Sequence, residues 1–261
     1  MSRTENKIFK TLGINVFAVQ IKDVIGQMKE WIGEKSFGHY IAVTNTHVVI
    51  ESWLNPEFKN VLNSADYVVP DGMPLVWLGR LNGYPLKRRV YGPELMETFL
   101  KETGPEYRHF IYGGKPGVPE KLCRTLKKQY PGLNFVGSCS PPFRTLTHEE
   151  DEQIIELINK LNPDVLWVGL GAPKQERWMH EHKDKLNVPV MLGVGAAFDL
   201  LAGNTSQAPA FLREHGFEWL WRFISEPRRL WRRYLVYAPL FVGLVILEKI
   251  GVMKFEQSSV D

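Results

Sequence analysis

The chain has 261 residues, 44% of them hydrophobic and 23% charged, which suits one large α/β domain or a core with an appendage and excludes a disordered chain. A net charge of only +3 makes no case for a nucleic-acid partner. Cys123 and Cys139 match no zinc or redox spacing and read as reduced thiols, and the polar N-terminus reads as no secretory signal.

A short extended run from Ile14 precedes Val24, Met28 and Trp31, whose spacing predicts an amphipathic helix. Tyr40 to Val43 reads as an apolar strand ending in small polar side chains before another helix. Thr44, Asn45 and His47 there either face a site at the sheet edge or form an N-cap with a surface histidine. A helix from Pro56 to Ala65 leads into Tyr67-Val-Val-Pro-Asp71-Gly-Met-Pro74. In that corner Pro70 and Gly72 flank one carboxylate, and the run from Leu75 opens a helix. Such a turn holds its side chain at the carboxyl edge of a sheet, where α/β proteins bind ligands. Asp71 is the leading catalytic candidate; the competing reading is an N-cap for the helix after it.

Lys87, Arg88 and Arg89 precede the helix start Gly92-Pro93, whose amides favour an anion, so Arg89 and Gly92 are placed beside a negative ligand unless the loop is merely solvated. Arg108 to Tyr112 reads as a strand, Gly113 to Gly117 as a tight turn, and Val118 to Tyr130 as a helix. That turn lacks the ending of a P-loop. Leu133 to Gly137 is a further strand, and Thr147-His-Glu-Glu150 is a capping box opening a helix to about Leu161. Two strands then run into Gly-x-Gly loops, Asp164–Val168 before Gly169-Leu-Gly171 and Val188–Leu192 before Gly193-Val-Gly195. Neither completes the dinucleotide fingerprint, since Lys174 and Phe198 take the last position, which argues against an oxidoreductase. The loops present Gly171, Lys174, Gln175, Glu176 and Asp199 at strand ends. The repeated strand–helix alternation predicts a Rossmann-like parallel sheet flanked by helices over residues 1–216.

Residues 217–261 differ in character. Between Phe217 and Tyr234 five arginines interleave with three tryptophans, and Arg229, Arg232 and Arg233 recur at helical spacing. The uncharged run from Tyr234 to Leu247 reaches only about 21 Å against roughly 30 Å of hydrocarbon, and Pro239 interrupts it. An interfacial membrane-associating helical appendage is expected rather than a spanning one, unless the pair of helices packs on the core or on another subunit. No cluster has metal-ligand spacing. An acid/base carboxylate, anion-binding loops and a membrane-binding tail together point to group transfer from a soluble phosphorylated donor to a lipid-borne acceptor.

The motifs Thr44-Asn-Thr-His47, Ala65-Asp-Tyr-Val-Val-Pro-Asp-Gly72, Arg89-Val-Tyr-Gly92 and Pro141-Pro-Phe-Arg144 resemble the WecG/TagA/CpsF family of bacterial glycosyltransferases, family 26. The likeness continues through Gly169-Leu-Gly-Ala-Pro-Lys-Gln-Glu-Arg177, Gly193-Val-Gly-Ala-Ala-Phe-Asp199 and Glu218-Trp219 to Tyr234. It implies an inverting, metal-independent enzyme with no cofactor. Such an enzyme moves a sugar from a UDP-sugar to a sugar on a polyprenyl (undecaprenyl) diphosphate, peripherally at the cytoplasmic face of the bacterial plasma membrane, in cell-surface polysaccharide synthesis. Carried onto this sequence, the resemblance makes Asp71 the general base and places Asn45 and Thr44 beside it. Arg89, Arg222, Arg229 and Arg232 offset charge on the leaving UDP, and Gln175 and Asp199 hold the nucleotide or donor sugar. Many relatives carry Glu where His47 stands. The resemblance leaves room for a symmetric homo-oligomer. The rival class is a non-catalytic membrane-surface module that binds nucleotide sugars.

Overall fold

The computed structural model describes residues 7–209, 211–212 and 218–255. A hairpin of β1 (Ile8–Thr11) and β2 (Ile14–Phe17) precedes the alternating core. The core strands are β3 (His39–Thr44), β4 (Tyr67–Pro70), β5 (Arg108–Gly113), β6 (Asn134–Cys139), β7 (Val165–Gly169) and β8 (Val190–Gly193). They form one six-stranded sheet in the order β4-β3-β8-β7-β5-β6, with every neighbouring pair parallel. The α/β class and the parallel sheet expected from the sequence are therefore the ones observed. The central strands are buried on both faces, which is why Val165-Leu-Trp-Val168 is an unbroken apolar run rather than an alternating one.

Helices α1 (Ile21–Gly33), α5 (Gly92–Thr103), α6 (Val118–Gln129) and α9 (Ala197–Leu201) pack on one face of the sheet. Helices α2 (Thr46–Leu54), α3 (Pro56–Asn63), α4 (Met73–Leu81), α7 (His148–Leu161) and α8 (Lys174–His182) pack on the other. The capping box predicted at Thr147 forms: Glu150 N–H donates to Thr147 Oγ1 at 3.3 Å, and Thr147 N–H donates to Glu150 Oε2 at 2.9 Å. Cys123 and Cys139 are free thiols.

The C-terminal segment contributes α10 (Glu218–Ser225), α11 (Pro227–Trp231), a π-helical turn Arg232–Tyr237 and α12 (Ala238–Lys249). The boundary placed between residues 216 and 217 lies outside the described residues. Pro239 does not break the helix. It falls in the first turn of α12, where its missing N–H and its ring are absorbed by the widened turn before it. Pro227 to Lys249 is thus one helical stretch of 23 residues, long enough to cross a membrane, and an 18-residue window within it has mean hydropathy 1.5. It nevertheless lies along the core. Leu230, Tyr237, Phe241 and Leu244 are buried, and the last three join the α2–α4 side of the core. Each such burial contributes about 1.5–3 kcal/mol. Both oxygens of Glu248 accept the Leu12 N–H, at 3.1 and 3.2 Å, pinning the end of α12 to the first hairpin.

Candidate active site

The carboxyl ends of β3, β4, β5, β7 and β8 open into a cavity of about 1030 Å³ closed on one side by the C-terminal helices. Backbone hydrogen bonds fix the Asp71 corner within it. The Asp71 N–H donates to the Thr44 carbonyl at 2.7 Å, and the Val90 N–H donates to the Pro70 carbonyl at 2.7 Å. Asp71 does not cap α4, because the N-cap position is Gly72 and no side chain caps that helix. Asp71 lines the cavity half-buried. Its Oδ1 is buried and accepts no hydrogen bond from the described residues. Such an oxygen is a poor end-state for a folded chain but a ready acceptor for a substrate hydroxyl.

Burial pushes the Asp71 carboxyl up to about 7; Arg89, Arg233 and Arg222 pull it down, and Glu218 pushes it further up. Arg89 stands behind the carboxylate rather than in the cavity lining. Its guanidinium lies 4.1 Å from the centre of the Tyr91 ring and pairs with Glu218 Oε2, while Tyr91 Oη donates to Glu218 Oε1 at 2.8 Å. Glu218 is 5% exposed, so its carboxylate is nearly sealed from water, while Arg89 is half-buried. Arg89 and Tyr91 belong to the core and Glu218 to the appendage; this contact holds the two together beside Asp71.

Arg222, Arg229 and Arg232 line the cavity, as does Arg233, whose guanidinium is pushed below its usual range first by burial and then by Arg222 and Arg229. Of these, Arg229 and Arg232 are exposed and Arg222 and Arg233 half-buried. Lys174, Gly92, Gly171 and Asp199 also line it. Tyr237 stacks on His47 at 5.3 Å between ring centroids, and burial, then Arg233, drops His47 to about 4, so the imidazole is neutral.

Several residues expected to contact ligand also make structural contacts, and of these Asn45 and Gln175 line the cavity as well. Thr44 is fully buried and its hydroxyl donates to the Ala42 carbonyl at 3.2 Å; its carbonyl is what holds Asp71. Asn45 Oδ1 accepts from the His47 and Val48 amides at 3.1 and 3.4 Å, so it caps α2 while the residue lines the cavity. Gln175 is 3% exposed and braces the loop, accepting from Gly171 N–H at 3.1 Å and donating to Glu176 Oε1 at 2.9 Å. A Cβ on Gly193 would meet Gln175 Nε2 at 2.7 Å, so the second Gly-x-Gly exists to admit this brace. Glu176 is fully buried, its Oε2 has no partner among the described residues, and burial lifts it to about 7; it does not reach the cavity.

Sequence reasoning gave no role to Glu218, Tyr91 or Arg233. The signals for Glu218 were its place ahead of an arginine-dense helix and in the family likeness. Among the described residues, no group of three or more His, Cys, Asp or Glu side chains could hold a metal ion.

A family model for the glycosyl transferase WecG/TagA/CpsF family matches residues 9–254. The chain belongs to this family. A relative from Bacillus spizizenii is 30% identical over 214 residues, 82% of this chain and 80% of its own. One from Staphylococcus aureus strain MW2 is 27% identical over 245 residues, 93% of this chain and 94% of its own. Both are named N-acetylglucosaminyldiphosphoundecaprenol N-acetyl-beta-D-mannosaminyltransferase. The cavity at the strand ends, with Asp71 on one wall and the appendage arginines on the other, is accordingly the candidate active site of a glycosyltransferase.

Proposed function

We propose that the protein transfers a sugar from a UDP-sugar to a sugar carried on a polyprenyl diphosphate, with inversion and without a metal, at the cytoplasmic membrane surface. The observation that carries this reading is the buried, unpartnered Oδ1 of Asp71, on a carboxyl poised at about 7, facing a cavity rimmed by arginines. Asp71 takes the proton of the acceptor hydroxyl. The acceptor oxygen bonds to the anomeric carbon from the side opposite the leaving group, the carbon–oxygen bond to the diphosphate breaks, and UDP departs with the electron pair. General-base assistance of this kind contributes about 10²–10⁴-fold. Arg222, Arg229, Arg232 and Arg233 supply the positive charge that the departing diphosphate needs. Arg89 acts through Asp71, lowering its proton affinity and fixing its setting. Gln175 holds the loops in place, and Asp199 and Lys174 contact the donor.

The names of the relatives support a diphosphate-linked N-acetylglucosamine acceptor and make UDP-N-acetylmannosamine the first donor to test. UDP release is measured with a panel of UDP-sugars and a lipid-linked acceptor in detergent, for wild type and Asp71→Asn. Acceptor-dependent release that the variant loses supports the reading. UDP-sugar binding without release from any donor and acceptor pair refutes it in favour of a binding module.

A further inference from the structure

Helices α4 and α12 both start near α2 at the site and come together at the far end through Lys249 and Asn82. At the site end Tyr237, just before α12, stacks on His47 at the start of α2. The N-cap of α2, Asn45, lies 3.6 Å from where a Cβ on Gly72 would sit, and Gly72 is the N-cap of α4. At the far end Lys249 Nζ, closing α12, donates to Oδ1 of Asn82, the residue after α4, at 3.2 Å. Both helices bury a stripe in the same side of the core: Leu75, Val76 and Leu78 from α4, Phe241 and Leu244 from α12.

Their outward stripes are also apolar. Trp77 and Leu81, one helical turn apart on α4, are 53% and 77% exposed. Val242 and Ile246 on α12 are 53% and 54% exposed, and Ile250 follows at 65%. No charged residue occurs between Tyr234 and Leu247. Exposed Arg228, Arg229 and Arg232 flank the stripe at the site end, and exposed Lys249 and Lys254 at the other. Large apolar side chains gathered on helices joined at one end by the Lys249–Asn82 hydrogen bond, rather than scattered singly, mark an interaction surface.

We infer that the Trp77–Leu81 face of α4 is a second lipid-contacting element, which with the outer stripe of α12 seats the protein on an anionic bilayer. The inference rests on the membrane-surface reading proposed above and names the part of the catalytic core that takes part. Cationic residues at both ends of an uncharged apolar stripe match anionic headgroups around an acyl interior. A tryptophan at the rim suits the headgroup level. Because α4 begins two residues after Asp71, its contact with lipid holds the base beside the layer where a lipid diphosphate lies.

The test is co-sedimentation of the full chain with phosphatidylglycerol/phosphatidylethanolamine vesicles. It compares wild type, the double variant Trp77→Glu with Leu81→Glu, and the double variant Trp77→Phe with Leu81→Met. The glutamate variant is expected to partition at least about 10-fold more weakly, and the Phe/Met variant to partition like wild type. Calorimetric UDP binding within twofold of wild type shows that the glutamate variant is folded with its site intact. Equal partition of wild type and the glutamate variant overturns the role of α4 while leaving the membrane reading standing. Wild type that ignores the vesicles overturns both. A wild-type dimer that the glutamate variant makes monomeric, with vesicle binding unchanged, shows that α4 meets a second copy and overturns the inference as well.

Discussion

Asp71→Asn separates the chemical role of this carboxylate from its effect on stability, and the two carry opposite signs. Asparagine keeps the shape of the side chain but cannot take a proton, so turnover should fall by about 10²–10⁴-fold. UDP binding should change little, because the proposed role of Asp71 is towards the acceptor hydroxyl. For stability, the folded carboxyl titrates at about 7 against an ordinary value of 3.8. A folded pKa raised in this way means that the contribution of the group is fully present below about pH 4 and is lost as the pH climbs to about 7. From pH 5 upward, two units of that climb remain, at about 1.4 kcal/mol per unit. The side chain is only half-buried, which reduces the effect to roughly 1–2 kcal/mol. Asp71→Asn should therefore gain about 1–2 kcal/mol over wild type on going from about pH 5 to about pH 8. Urea unfolding at both pH values, followed by tryptophan fluorescence, reads this difference directly. A stability difference between variant and wild type that does not move with pH would refute the raised pKa, and wild-type turnover in the variant would remove Asp71 from the chemistry.

Glu218→Ala leaves the half-buried Arg89 without this partner, and should cost up to about 3 kcal/mol of stability in thermal or urea unfolding. Removing that negative charge also lowers the proton affinity of Asp71, so the acid limb of the kcat/KM–pH profile should shift to lower pH; a shift upward would contradict the assigned electrostatics. Gly193→Ala drives a Cβ to 2.7 Å from Gln175 Nε2, displacing the brace between the two loops. KM for the donor should rise several-fold with little loss of melting temperature, and an unchanged KM would show that the brace does not shape the donor site. Activity is expected to persist in excess EDTA, and its loss with recovery on adding a divalent ion would defeat the proposal that arginines alone neutralise the leaving group.

The Asp71 corner was legible because everything that makes it is local. A strand of β-branched residues, a proline and a glycine around one carboxylate, and an immediate helix are neighbours in sequence. Locality also explains the two readings left open at Thr44 and Asn45. Both residues sit at the expected strand end, but only the packed structure shows that the Thr44 hydroxyl turns into the sheet and that Asn45 Oδ1 caps α2. At Gln175 and Glu176 a sequence shows polarity without direction. Gly193 and Gly195, from a different loop, leave the space that lets Gln175 fold inward, so a residue that lines the cavity is also an internal brace. Pro239 shows the same limit in reverse, since a widened turn absorbs what reads as a break.

The charges that set Asp71 were not legible for a stronger reason. Arg89 and Glu218 lie 129 residues apart, and no periodicity pairs them. Arginine density announced a cationic appendage without saying which guanidinium turns inward; Arg233 is half-buried where Arg229 and Arg232 are exposed, and burial lowers its proton affinity. The consequence is physical. The proposed base, Asp71, is encoded in the core, while three of the four charged side chains that tune it come from the C-terminal helices. Undocking those helices would remove Glu218, Arg222 and Arg233 together and open Asp71 to water, returning it towards an ordinary carboxylate that is a weaker base. Base strength and appendage docking are therefore one property of this chain, and a lipid surface that holds α4 and α12 in place would act on both.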